Sequence, residues 1–151
     1  MNETPESRGD REHGEIHAAM AEIEAILDHW AAEPVPTRDA DGLSEKISAL
    51  RARLRRHFRF EEQEGILARR EGLEPEDRRF VEELLLQHRT LEERLSKTTE
   101  EVGGADGLRA RIPTIVVREM RGLFRDIRRH EAQEELLQRR AHWRRSSGIR
   151  E

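Results

Sequence analysis

Apolar residues recur at alternating intervals of three and four in four separate stretches of the chain, and this spacing restricts the fold more than any other feature. Such spacing places the apolar side chains along one face of an α-helix. The sequence therefore predicts an all-α protein with four amphipathic helices, whose apolar faces run over residues 13–30, 43–61, 81–102 and 113–141.

Proline and glycine separate these stretches, because both residues interrupt helical geometry. Helix two is expected to begin after a turn and to close near Glu71, and Pro75 suits the first turn of helix three. Links this short favour an antiparallel up-down-up-down four-helix bundle over a coiled-coil oligomer of long rods. The predicted breaks lie at residues 34–36, 39–42, 71–75 and 103–107, with Pro113 in the first turn of helix four.

The length and composition suit one small bundle. A chain of 151 residues is enough for a single domain. Charged residues make up 40% of it and hydrophobic residues 34%, a balance that narrow apolar helix faces can accommodate. Residues 1–10 lack periodicity, so we expect them to be a disordered leader. Residues 11–145 are expected to form the bundle, and residues 146–151 a flexible tail.

Several classes of function are excluded or disfavoured by the composition. The chain has no cysteine, so any metal site must use histidine and carboxylate ligands. The net charge of -4 gives no general attraction to nucleic acid, and no nucleic-acid partner is expected. No segment resembles a signal peptide, and no apolar run approaches the roughly 20 residues that span a bilayer. We therefore expect a cytoplasmic protein without a membrane partner.

Histidines and glutamates interrupt the apolar faces of all four predicted helices. Two of the interruptions are His-x-x-x-Glu pairs, whose members point from the same side of a helix. At about 1.5 Å of rise per residue, each interruption lies roughly 18 to 30 Å from the neighbouring link, so that all of them reach one level of the bundle. The interrupting residues are His13, His57, Glu61, His88, His130 and Glu134.

A shared metal centre explains these residues better than separate partners do. One buried histidine is ordinarily a hydrogen-bonded core residue, and an internal His–Glu hydrogen-bond network is the alternative. Burying unpaired carboxylates, however, costs several kcal/mol. Imidazole and carboxylate ligands suit iron, manganese or zinc. The glutamates could bridge two ions, leaving positions open for oxygen, peroxide, nitric oxide or solvent.

Helix one carries a second histidine, His17, one turn after His13. The residues three and seven positions after His13 are apolar, as they are after His88, whereas Glu24 lies seven positions after His17. His13 is therefore the preferred ligand, and His17 is an alternative or an addition to it. The remaining polar residues near these faces, expected in solvent, are His29, Glu92 and His142.

The candidate ligands lie in four motifs, in the order Glu12-His13-Gly-Glu-Ile16, His57-Phe-Arg-Phe-Glu61-Glu62, Gln87-His88-Arg-Thr-Leu91 and His130-Glu-Ala-Gln-Glu134-Glu135. With these motifs, residues 11–140 resemble the hemerythrin-like family of HHE cation-binding domains. The resemblance implies a four-helix bundle with a non-haem centre of two iron ions, joined by an oxo or hydroxo bridge and by both glutamates. Iron is accordingly expected ahead of manganese or zinc.

The sequence departs from the oxygen-carrying members of that family. Those proteins have a fifth histidine where this chain has Leu84, and an aspartate motif where it has Glu134. The Leu-Phe-Pro that often follows each Glu-Glu pair is also missing. Binding or reduction of a small oxidant (oxygen, peroxide or nitric oxide) is expected rather than reversible oxygen transport. The alternatives are an iron or redox sensor or storage module that acts through a protein partner, and a metal-free helical interaction domain.

Overall fold

The computed structural model describes residues 3–32, 37–68, 72–103 and 114–146, and these residues form four α-helices without a strand. The helices are α1 (Pro5–Ala32), α2 (Thr37–Gln63), α3 (Pro75–Gly103) and α4 (Thr114–Ser146). Each packs against its two neighbours in the order α1, α2, α3, α4 and back to α1. The predicted all-α four-helix bundle is therefore confirmed.

Ion pairs show that α1 and α4 run in opposite directions. Glu24 of α1 contacts Arg128 of α4. Asp28, which comes later on α1, contacts Arg121, which comes earlier on α4.

Ion pairs give the same antiparallel relation between α1 and α2, where Glu15 contacts Arg53 and Glu22 contacts Lys46. They also give it between α3 and α4, where Asp77 contacts Arg144 and Arg94 contacts Asp126, as an up-down-up-down bundle requires. None of the described helices combines the length and hydrophobicity that crossing a bilayer needs.

Helix α1 begins at Pro5, so residues 5–10 are helical where a disordered leader was expected. Thr4 caps the helix, because its hydroxyl accepts a hydrogen bond from the Ser7 amide at 3.1 Å. The guanidinium of Arg8 lies 4.2 Å from the centre of the Phe60 ring, which ties this first turn to α2. Capping and this cation–π contact do not depend on apolar periodicity. The domain limits at residues 11 and 145 stay predictions.

Both ends of α2 were predicted wrongly. It begins at Thr37, so the turn expected at residues 39–42 lies within the helix, and it ends at Gln63 instead of near Glu71. The amide groups of Gly65 and Leu67 bond back to the last carbonyls of the helix, so the chain leaves it through a tight turn. Helix α3 begins at Pro75, as predicted. Of the break predicted at residues 103–107, Gly103 is the last residue of α3. The rest of that break, the break predicted at residues 34–36 and the helix start predicted at Pro113 lie outside the described residues.

Two apolar clusters fill the bundle, one on each side of the predicted ligands. The larger includes Leu54, Leu91 and Ile127. The smaller consists of Leu67, Val81, Leu84 and Leu137. On α3 and α4 the candidate ligands come between a residue of one cluster and a residue of the other, and the ligands of α2 come between Leu54 and Leu67, which follows the end of the helix. Burial of apolar surface, at about 25 cal/mol per Å², thus holds the helices together on both sides of a polar layer.

Candidate metal centre

The six predicted ligands come from all four helices and lie inside the bundle. His13 is 9% exposed, and the other five residues are between 1% and 3% exposed. Charged and polar groups are rarely buried to this extent unless they have partners. The buried residues are His13, His57, Glu61, His88, His130 and Glu134.

These residues form two overlapping groups, and within each group one ligand atom per residue lies within 4.8 Å of all the others. His13 and His57 belong to the first group, and His88 and His130 to the second. The carboxylates of Glu61 and Glu134 belong to both. Two cations bridged by two carboxylates would require this kind of sharing.

The helical repeat places each His-x-x-x-Glu pair side by side. Nε2 of His57 lies 3.2 Å from Oε1 of Glu61, and Nε2 of His130 lies 2.7 Å from Oε1 of Glu134. The lone histidine of α3 approaches from the neighbouring helix, with Nε2 of His88 3.4 Å from Oε1 of Glu61. Nitrogen and oxygen atoms from different helices therefore converge on the same small volume.

Many of these converging atoms have no hydrogen-bond partner among the described residues. Buried polar atoms without partners are costly, and a cation would satisfy several of them at once. Nitrogen and oxygen donors without thiolate also fit iron, manganese or zinc. The residues present thus fit a metal centre. The unpartnered atoms are both ring nitrogens of His13 and His88, Nε2 of His57 and of His130, Oε1 of Glu61 and both carboxylate oxygens of Glu134.

Two residues outside the groups orient the paired histidines. With a proton on Nδ1, His57 donates to Glu12 at 3.2 Å and His130 donates to Gln87 at 2.7 Å. In the neutral imidazole each bond leaves Nε2 without a proton and facing the carboxylates, which is the tautomer that a metal ligand needs. The apolar spacing did not indicate these roles. The signal available was position, because Glu12 and Gln87 directly precede His13 and His88.

The charges of the site follow from burial and from these neighbours. Burial opposes protonation of His57, but the Glu61 and Glu12 carboxylates outweigh burial and raise the pKa of its imidazole. Burial, together with His88, lowers the pKa of His130 to about 3. Burial favours the neutral form of Glu61, yet His57 and His88 outweigh it and lower the pKa of this carboxyl to about 2.

His17 belongs to neither group. Its side chain is 49% exposed, and its imidazole contacts the carboxylate of Glu131 on α4. Glu131 is only 3% exposed, and burial raises its pKa to about 7. The structure thus brings His13, and not His17, to the other predicted ligands. The apolar spacing along helix four did not indicate that Glu131 is buried. His29 and His142 are exposed, and Glu92 is partly buried.

A cavity of about 550 Å³ reaches the centre from the end of the bundle that contains the smaller apolar cluster. His13, Glu61 and Glu134 form its inner end. Phe60, Leu73 and other apolar residues form its walls. The two carboxylates shared by both groups are therefore connected to a chamber lined mainly by the terminal turns of the helices.

Comparison with known proteins identifies a family. The family model described as the hemerythrin HHE cation binding domain matches residues 7–141, which is most of the chain and contains every candidate ligand. No curated protein and no solved structure matches the chain.

Proposed function

The chain belongs to the hemerythrin HHE cation-binding domain family, and on this basis we propose that it holds two iron ions and binds or reduces a small oxidant. Oxygen, peroxide and nitric oxide are the ligands proposed. One observation carries the proposal, namely that Glu61 and Glu134 are shared between two groups, each of which has two histidines of its own.

The proposed ligands divide evenly between the two ions. His13 and His57 would hold one ion, His88 and His130 the other, and Glu61 would bridge both together with Glu134. Bound iron would supply electrons and open coordination positions, which is the chemistry needed to bind or reduce a small oxidant.

The surrounding residues keep the site ordered and apolar. The ring of Phe58 stacks on the imidazole of His88, with 3.9 Å between ring centres. Leu54 and Ile127 lie about one helical turn before His57 and His130, in the larger cluster. Glu12 and Gln87 hold the paired imidazoles in one tautomer. Rigid ligands need little rearrangement when a cation binds, which supports tight binding.

The test is metal content and optical absorption after anaerobic reconstitution with ferrous iron, followed by exposure to oxygen. We expect about two irons per chain, and absorption from oxygen-to-iron charge transfer. His130→Ala should reduce the content to about one iron or less, because it removes a ligand from one group. His142→Ala removes an exposed histidine from the same helix and should change nothing. Fewer than about one iron per chain in the unmodified protein would contradict the proposal.

A further inference from the structure

The cavity at the centre is much larger than a diatomic ligand needs. A water molecule takes about 30 Å³ of the liquid, so a cavity of about 550 Å³ is roughly eighteen times that size. Pockets for organic molecules span about 300 to 1,000 Å³. Its volume therefore matches a small organic molecule better than it matches oxygen or nitric oxide alone.

The walls of this cavity are apolar and held in place by packing. Ile66, Leu73 and Leu137 line it, and all three belong to or pack against the smaller apolar cluster. Phe60 forms a further part of the wall, with the Arg8 guanidinium against its ring. Apolar walls that are fixed in this way suit an alkyl chain, because its burial removes apolar surface from water.

The charges of the lining disfavour an anionic ligand. The described lining contains five carboxylates and one guanidinium, which belongs to Arg144. This guanidinium contacts the carboxylate of Asp77, a residue that is 1% exposed. A second oxygen of the same carboxylate lies 3.1 Å from a guanidinium nitrogen of Arg140. Glu64 pairs with Arg8 at 3.4 Å. The guanidinium of the lining is thus already paired, which leaves little attraction for an anionic ligand.

The inner end differs from the walls, because His13, Glu61 and Glu134 present polar atoms there. Several of these atoms have no hydrogen-bond partner among the described residues. A hydroxyl group at the inner end could donate to a carboxylate and accept from an imidazole. We propose that the cavity binds a neutral alkyl molecule with a terminal oxygen, such as an alcohol or alkyl hydroperoxide, with the oxygen toward Glu61 and the chain along Phe60 and Leu73.

This proposal names a ligand class for the site proposed above, but its test needs no metal. The probe is 1-octanol, titrated by calorimetry into the metal-free 151-residue chain. We expect saturable binding of about one molecule per chain, and weaker binding of octanoate, because its carboxylate would face those of Glu61 and Glu134. Ala141→Phe places a ring in the cavity and should weaken octanol binding about tenfold or more. Ala52→Phe, at an exposed position of α2, should leave it unchanged.

Three results would overturn the proposal: no saturable binding of octanol, equal or tighter binding of octanoate, or unchanged binding by a folded Ala141→Phe variant. If that variant does not fold, methyl resonances of the unmodified protein decide. Octanol should shift those of Ile66, Leu73 and Leu137 and leave Leu95 and Val102 of the larger cluster unaffected. The opposite pattern would also overturn it. A failure to hold iron would alter none of these measurements, so the two proposals can fail separately.

Discussion

The α1–α2 half and the α3–α4 half of the site repeat one arrangement with a different charge. In each half the first helix supplies a lone histidine, and the residue before it accepts a hydrogen bond from the histidine of the second helix. The two imidazoles of each half also meet edge to face, with ring centres 4.6 Å apart in one half and 4.7 Å in the other. The accepting group, however, is the carboxylate of Glu12 in one half and the amide of Gln87 in the other.

The paired histidines also have opposite pKa shifts, and this difference in charge is one of several causes. Although burial opposes its protonation, His57 has a raised pKa because Glu61 and Glu12 are close to it. The pKa of His130 is lowered to about 3 by burial and by His88. A carboxylate behind an imidazole makes it a more basic ligand than an amide does. The ion position at His57 should therefore bind a cation more tightly than the position at His130.

The largest change should come from a residue that the two halves share. Glu61→Gln removes a negative charge from both groups, so we expect affinity for both ions to fall by about 100-fold or more. Metal content after dialysis measures this loss. Glu135→Gln, at an exposed position on α4, is the matched control. Retention of both ions by the Glu61 variant would show that this carboxylate does not bridge the halves.

A smaller effect, confined to one half, is expected from Glu12→Gln. The substitution keeps an acceptor for Nδ1 of His57 but removes its charge, so the two halves become alike. Affinity at the first position should fall about tenfold, while the second position is unchanged. Competition with a chelator of known affinity measures the affinities of both positions, because each position should release its ion in a separate phase. Glu15→Gln removes a surface carboxylate of the same helix and serves as the control. Equal weakening of both positions would contradict the comparison.

Sequence periodicity indicated six side chains that the structure brings together inside the bundle, because a buried helix face includes the polar residues that interrupt it. That these residues bind metal stays a prediction. Periodicity also favoured His13 over His17, and the structure places His13 beside the other five residues. Glu12 and Gln87 were not recognised, since they flank the buried face and act across to a neighbouring helix. Such contacts depend on helix rotation and crossing, which the spacing within one helix does not report.

Depth along the bundle, counted at about 1.5 Å per residue, predicted that the six residues lie at one level, although the helix end used for α2 was wrong. The prediction placed the end of α2 near Glu71, whereas the helix ends at Gln63. The chain does not turn back at once, because Leu67 packs against Val81, Leu84 and Leu137 further along the bundle. The connection therefore covers the distance that was assigned to helix. Helix ends depend on local hydrogen bonds and capping, which apolar spacing does not indicate.

The smallest effect should come from adding the missing charge with Gln87→Glu. In the metal-free protein, His130 protonates only near pH 3 when folded, against an ordinary pKa of 6.5. The unfolded chain thus binds more protons between these values, and stability should fall as the pH drops through that range. The new carboxylate raises the pKa of His130, so the variant should lose less stability, and affinity at the second ion position should rise a few-fold.

Urea unfolding of the metal-free protein at several pH values between about 6.5 and 4, and chelator competition at neutral pH, measure the two parts of this prediction. Gln63→Glu adds the same charge at an exposed position at the end of α2 and controls for the change in net charge. If Gln87→Glu gives the second position the pH response of the first, the charge behind the imidazole is what distinguishes the halves. An unchanged response would instead assign the difference to burial and to the neighbouring histidines, which the substitution leaves in place.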